Sequence, residues 1–87
     1  MYFVYILYSA AKDRYYVGQS ENMENRMEFH NSGKSPYTSM ISDWVIVHTE
    51  EYETRTESRK RENAIKRKKS RKYIEWLISA SSRRMTG

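Results

Sequence analysis

The sequence predicts an α/β (α+β) fold in one domain: three strands, the first two joined as an N-terminal β-hairpin, and three helices or so. Three observations carry this expectation. Two tyrosine-rich runs near the N-terminus flank a short polar loop, Trp44 opens a further run of β-type residues, and residues Thr54 to Ala80 contain neither glycine nor proline.

The hairpin comes first. Tyr2 to Tyr8 and Tyr15 to Gly18 are rich in aromatic and β-branched residues, and Ala10-Ala11-Lys12-Asp13 is short enough to connect paired strands. Five of the eight tyrosines fall in these runs. Pairing Ala10 with Asp13 sets Leu7 opposite Tyr16 and Tyr5 opposite Gly18. Tyr5 and Tyr16 then share a face as diagonal neighbours, and a slip of one residue would separate them. Gly18 is expected to leave open space beside the Tyr5 hydroxyl, where a ligand can approach the backbone. Strand tyrosines are more often core residues with a satisfied hydroxyl, so a core and a ligand site both remain open readings here.

A helix is expected next, with Ser20 or Asn22 as its N-cap, acidic residues in its first turn and Asn31-Ser32-Gly33 as its stop. Met23, Arg26, Met27 and His30 form one stripe at i, i+3, i+4 and i+7. The methionines suit a sheet-facing side, which places Arg26 and His30 at the core margin. There Arg26 can snorkel and His30 can cap the helix end, or the two can bind a phosphate and handle a proton.

Residues 32 to 43 read as a loop around Pro36, with Lys34, Tyr37 and Thr38 able to meet a backbone phosphate. Trp44-Val45-Ile46-Val47-His48 reads as a third strand reaching towards Tyr52, its continuous apolar run expected in a central or doubly covered position. From Thr54 or Thr56, either of which can cap it, the chain is helical and basic. Ala64 and Ile65 supply a thin apolar contact, and Tyr73, Ile74, Trp76, Leu77 and Ile78 a stronger one. Ser70 is expected to divide this stretch into two helices. The domain is expected over residues 1–80, with 81–87 as a flexible tail.

Composition narrows the function. The absence of cysteine excludes a disulfide scaffold, a zinc ribbon and a thiol nucleophile. The longest apolar run, Tyr2 to Tyr8, is too short to span a membrane, and no signal peptide is evident, so a soluble cytoplasmic protein is expected. The net charge of +5 is uneven. Residues 1–54 carry four Lys/Arg against eight Asp/Glu, and residues 55–87 carry twelve against three. A basic C-terminal part suits a polyanion such as nucleic acid, although lysine-rich helices are often only solvated faces. Glu62 stands alone among Arg59, Lys60, Arg61, Lys66 and Arg67, three positions before Ile65. It can serve as a salt-bridge partner, or as a single ligand to a hard divalent cation.

Taken together, these residues resemble the GIY-YIG endonuclease superfamily, especially its small stand-alone members, and are similar to the nuclease module of the excision-repair subunit that makes the first incision. Val4-Tyr5-Ile6 matches the first motif and Tyr16-Val17-Gly18 the second. Asn25-Arg26-Met27-Glu28-Phe29-His30 matches the helix bearing the family's arginine and histidine. His30-Asn31-Ser32-Gly33-Lys34 with Tyr37-Thr38 is typical of the small members, and Arg61-Glu62-Asn63-Ala64-Ile65-Lys66 matches the helix with the metal-binding glutamate. The resemblance covers residues 2 to 78, and the order and spacing of the motifs make it specific. Val4 and Val17 replace the motifs' glycine and isoleucine. The asparagine that many family members carry after the last helix is absent from Ile78-Ser79-Ala80-Ser81-Ser82.

The resemblance implies a three-stranded mixed sheet with helices packed against it and a shallow basic site on one sheet face. The implied activity is hydrolysis of DNA phosphodiesters with little sequence preference, leaving 5′-phosphate and 3′-hydroxyl ends. Catalytic roles fall to Tyr5, Tyr16, Arg26 and His30, and Glu62 holds Mg²⁺ or Mn²⁺. Lys34, Tyr37, Arg59, Lys60, Arg61, Lys66, Arg67 and Lys69 grip the nucleic acid backbone. The substrate is expected to be DNA, branched or nicked forms included, with RNA still open and the protein a monomer or weak dimer. The alternative is a non-catalytic nucleic-acid-binding module on the same fold.

Overall fold

In the computed structural model, residues 1–22, 31, 41 and 43–86 are described. Strands β1 (Tyr2–Ser9), β2 (Arg14–Ser20) and β3 (Val45–Tyr52) form one sheet in the order β2-β1-β3. The hairpin has the expected register: Leu7 pairs with Tyr16 and Tyr5 with Gly18. Asp13 closes the turn at φ 51°, a left-handed conformation that aspartate tolerates better than most residues. Both pairings are antiparallel, so the sheet is antiparallel throughout rather than mixed. β2 and β3 do run in the same direction, but β1 separates them.

The central strand is β1, not β3. Val4, Tyr5, Ile6 and Leu7 are fully buried, which requires cover on both sheet faces. β3 is an edge strand that leaves Val45 and Ile46 exposed. Ile6 pairs with His48 and Leu7 with Ile46, leaving Val47 as the extra residue of a bulge that packs against the helical side.

The alternation of β1 divides the core into two clusters. Val4 and Ile6, with Val17 of β2, pack against Ile65 and Leu77 from the two C-terminal helices. Tyr5 and Leu7 pack on the other face against Ile41, Trp44 and Tyr16. Helix α1 (Arg55–Lys68) starts at Thr54, whose side chain accepts from the Glu57 amide at 3.2 Å. Its inward face is thin: Ile65 is its one buried apolar residue, and Ala64 is exposed. Lys69, at φ 47°, ends α1 in a left-handed cap. Ser70 then caps α2 (Arg71–Thr86) by accepting from the Tyr73 amide at 3.2 Å, so the break falls where expected.

α2 buries Leu77 with Tyr73 and Ile74 beside it, a stripe at i, i+1 and i+4. Trp76 lies about 100° round the helix from Leu77 and is 62% exposed, so it does not share the apolar contact expected of it. The backbone stays helical through residues 81–86, the segment expected as a tail, where no glycine or proline interrupts it.

Polar pins join these parts. Asp43 accepts from Ser9 Oγ at 2.6 Å and from the Ala11 amide at 3.0 Å, clamping the hairpin turn. Asn31 exchanges two hydrogen bonds with the Trp44 backbone, at 3.0 and 3.3 Å. Ser58, fully buried in α1, directs its one hydroxyl hydrogen between the Arg55 carbonyl at 2.8 Å and Gln19 Oε1 at 3.2 Å. Residues 23–30, 32–40 and 42, which make up most of the helix expected after Ser20 and of the loop after it and include Arg26, His30, Lys34 and Tyr37, lie outside the described residues.

Candidate active site

Alternation along β1 and β2 brings Tyr5 and Tyr16 to one face, with ring centroids 6.4 Å apart and planes inclined by 34°. Trp44 borders Tyr16 at 6.3 Å and completes an aromatic wall. Gly18 has a different use from the one expected. Its missing side chain makes room for the Tyr5 ring rather than for a ligand: a Cβ there would lie 2.6 Å from the Tyr5 hydroxyl oxygen and 2.7 Å from Cζ. Tyr5 is fully enclosed, whereas Tyr16 is only half-buried. Of the two, Tyr16 is therefore the one solvent reaches directly.

A cavity of about 460 Å³ opens between β2 and the junction of the two helices. Tyr15, Tyr16, Ile65, Lys66, Lys69 and Arg71 are among its walls. Val17, Ile65 and Ile74 give it apolar wall, and its charged residues are the cations Arg14, Lys66, Lys69 and Arg71 against one carboxylate, Asp13, which pairs with Arg71; the excess of cations suits a phosphate. Lys66 links this cavity to Glu62, whose Oε2 accepts from Lys66 Nζ at 2.8 Å. The Glu62 side chain is 17% exposed, as expected for a residue at the buried margin of α1. Ile65, one turn on, packs on the face opposite Tyr5 and Tyr16. The helix bearing Glu62 thus packs on the sheet face opposite the Tyr5 and Tyr16 rings, and it is Lys66, the partner of Glu62, that reaches the cavity wall.

Glu62 suits the metal role by donor chemistry. It is a hard oxygen donor at the margin of solvent, and its Oε1 carries no hydrogen bond among the described residues. One carboxylate of this kind matches Mg²⁺ or Mn²⁺ retaining most of its water. No cluster of three or more histidine or carboxylate ligands occurs among the described residues, so a cage built of protein ligands is not assembled there.

The cations expected on nucleic acid are not equivalent. Arg59, Lys60, Arg67 and Lys69 are exposed, and Lys66 is half exposed and bound to Glu62. Arg61 is committed internally. Its Nε and Nη2 donate to the two oxygens of Glu50 at 2.8 and 3.1 Å, and its Nη1 donates to the Tyr73 hydroxyl at 3.1 Å. It is therefore a structural ion pair between α1 and β3 rather than a free phosphate ligand. The physical reason is its helical position, which turns it inward over β3.

Glu50 was not anticipated. Besides Arg61, it accepts from the Tyr52 hydroxyl at 2.6 Å and is joined to His48 Nε2 at 2.7 Å. Burial pushes the Glu50 carboxyl up, but the hydrogen bonds from His48, Arg61 and Tyr52 outweigh it and hold the group well below the usual carboxylate range. Burial and the bond to Glu50 push the Tyr52 phenol up to about 12. No sequence signal marks these contacts, because strand and helix residues eleven positions apart share no periodicity.

Comparison with known proteins agrees with this architecture. The GIY-YIG catalytic domain family matches residues 1–74. A UPF0213 protein of Natronomonas pharaonis is 33% identical over 66 residues, covering 75% of this chain and 76% of that protein. A UPF0213 protein of Enterococcus faecalis is 36% identical over 66 residues, with 69% and 75% coverage. The solution NMR structure of a UPF0213 protein from Bacillus halodurans superposes with a TM-score of 0.58 at 29% identity, covering 92% of this chain and 85% of that one. With the motif tyrosines side by side on one face of the hairpin and the match running through Glu62 to residue 74, the chain belongs to the GIY-YIG family of nuclease domains.

Proposed function

We propose that the protein is a divalent-metal-dependent endonuclease that hydrolyses DNA phosphodiesters with little sequence preference, in the cytoplasm and in repair or recombination of branched or nicked DNA. The observation that carries this reading is the shared face of Tyr5 and Tyr16, with Tyr16 lining a cation-rich cavity that also meets Lys66, the partner of Glu62.

In this reading Tyr16 meets the scissile phosphate and the attacking water through its hydroxyl. Tyr5 serves as general base or water-orienting group only once substrate opens the cover over it, because its ring is fully enclosed. An unperturbed phenol has a pKa of ~10, so a base role needs neighbouring positive charge to favour the phenolate. Arg26 supplies that charge and stabilises the charge developing on phosphorus, and His30 relays the proton. Glu62 would hold the metal ion, exchanging its contact with Lys66 for the cation. A bound Mg²⁺ or Mn²⁺ supplies Lewis-acid stabilisation of the departing 3′ oxygen. Arg59, Lys60, Arg67 and Lys69, with Lys34 and Tyr37, hold the flanking backbone without reading bases.

The test is cleavage of supercoiled, nicked and branched DNA with Mg²⁺ or Mn²⁺, comparing the protein with its Tyr5→Phe, Tyr16→Phe, Arg26→Ala and Glu62→Ala variants. Cleavage by the parent protein and a loss of about a hundredfold or more in each variant are expected. A parent protein that binds DNA but cuts none of these substrates with either metal would instead be a binding module.

A further inference from the structure

Helix α1 carries Glu62 yet has little apolar surface to locate it. Ile65 is its single buried hydrophobic residue, and its other buried residue is Ser58. One apolar anchor fixes a helix against a sheet but leaves rotation about its own axis weakly determined, and polar pins must supply the rest. Three occur among the described residues. Arg55, in the exposed first turn, pairs with Glu21 just beyond β2 at 2.8 Å, Ser58 lies 3.2 Å from Gln19 Oε1 of β2, and Arg61 ties the other flank to β3 through its two-pronged bond with Glu50, the pin nearest Glu62. Arg61 is the residue immediately before Glu62. With Arg61 held over β3, the helix turn of about 100° per residue rotates Glu62 away from β3 to the flank that carries Lys66, its partner at 2.8 Å and a residue of the cavity wall beside β2.

The pin is itself held from several sides. Glu50 Oε1 is shared by Tyr52 and Arg61 Nε, Oε2 by His48 and Arg61 Nη2, and the remaining guanidinium nitrogen donates to Tyr73 of α2. Arg61 Nε and Nη2 thus match the two carboxylate oxygens in the fork geometry that fixes direction as well as distance. Lysine, with one point charge, cannot reproduce it.

We propose that Glu50 and Arg61 are positioning residues for the reaction: their ion pair sets the rotation of α1 and so aims the Glu62 carboxylate away from β3, to the flank that carries Lys66. This rests on the reading of Glu62 as the metal ligand. Neither residue touches substrate or metal. They act as the outer partners that orient a metal ligand, a role whose loss typically lowers metal affinity without removing the site.

The experiment measures Mn²⁺ binding to the intact protein by loss of the free-ion electron paramagnetic resonance signal, beside kcat and KM on a cleavable DNA. Glu50→Gln and Arg61→Lys are expected to weaken Mn²⁺ binding about tenfold or more while helix content by circular dichroism stays unchanged. Their kcat falls with KM for DNA unchanged, and excess Mn²⁺ restores part of it. A purely structural pair would lower the melting temperature and leave Mn²⁺ affinity in the folded protein as it was, and that result overturns the proposal. If both variants fail to fold, Tyr73→Phe removes only the outer hydroxyl contact of Arg61. A loss in Mn²⁺ affinity of about threefold is then expected, and no change overturns the proposal. Glu62→Gln separates the two readings. If it binds Mn²⁺ and cuts as well as the parent protein, the metal role of Glu62 fails and the positioning role falls with it. If Glu62→Gln is inert while Glu50→Gln and Arg61→Lys match the parent, only the positioning role fails.

Discussion

The ring of Tyr5 lies across Gly18 so closely that a β-carbon at position 18 would stand 2.6 Å from the phenolic oxygen and 3.0 Å from the Tyr16 ring. Tyr5 is fully buried and has no free direction in which to yield. Gly18→Ala is therefore expected to destabilise the domain by about 1–3 kcal/mol in urea unfolding, the usual range for overpacking. In a Tyr5→Phe background the cost should shrink without vanishing, because Cζ remains 2.7 Å from the added carbon. A neutral Gly18→Ala would show that the Tyr5 ring is not seated on the glycine.

The Glu50 carboxyl makes stability depend on acid. Its folded pKa is depressed below the ordinary value of 4.5, so its contribution is present above that value and is lost as pH falls below it. Melting temperature should drop more steeply below pH 4.5 in the parent protein than in Glu50→Gln, which should itself cost about 1–3 kcal/mol at neutral pH. Tyr52 acts at the other end. Its phenol ionises near 10 when unfolded and at about 12 when folded, so its contribution is complete below pH 10 and is lost as pH rises to about 12. Absorbance titration at 295 nm should include a phenol titrating near the upper value that Tyr52→Phe removes. Equal acid slopes in parent and Glu50→Gln proteins would refute the network as the source.

The hairpin was legible because a short loop and a period of two leave few registers, and each alternative register separates Tyr5 from Tyr16. The edge position of β3 was not. A run such as Trp44 to Val47 looks alike whether it sits centrally or begins at an edge with a bulge. Composition alone groups Tyr73, Ile74, Trp76, Leu77 and Ile78 as one apolar contact, whereas the helical period puts only Tyr73, Ile74 and Leu77 of the five on the inward stripe. Glu62 could be found by its isolation among cations, whereas Glu50 lies in an acidic strand end where nothing distinguishes it before folding brings Arg61 over it.

Asp13 offers a test of the hairpin turn. It occupies a left-handed backbone conformation, accepts from the Tyr8 hydroxyl at 2.8 Å and pairs with Arg71 at the start of α2. These bonds hold its carboxyl below the usual range, the Arg71 contact first, but the group is mostly exposed and its pairing is screened. Backbone conformation should therefore dominate over charge. Asp13→Asn and Asp13→Gly are expected to unfold close to the parent midpoint, and Asp13→Ala to lose about 1 kcal/mol, since alanine lacks the local tolerance of the left-handed region. If Asp13→Asn proved as costly as Asp13→Ala, the charge rather than the turn would be the larger effect.

The difference between Arg61 and its neighbours gives a prediction for DNA binding. Lys69 is exposed on the wall of the cavity, whereas three guanidinium nitrogens of Arg61 are occupied by Glu50 and Tyr73. Each cation that neutralises a phosphate contributes about 0.9 to the slope of log affinity against log salt on duplex DNA. Lys69→Ala should accordingly weaken binding similarly on all sequences and reduce that slope by about one. Arg61→Lys should leave the slope unchanged, because the charge at position 61 is not directed at the nucleic acid. Fluorescence anisotropy of a labelled duplex across a salt series reads both variants. An equal loss of slope in Arg61→Lys would mean that DNA draws Arg61 away from Glu50, which would return position 61 to the phosphate-binding set.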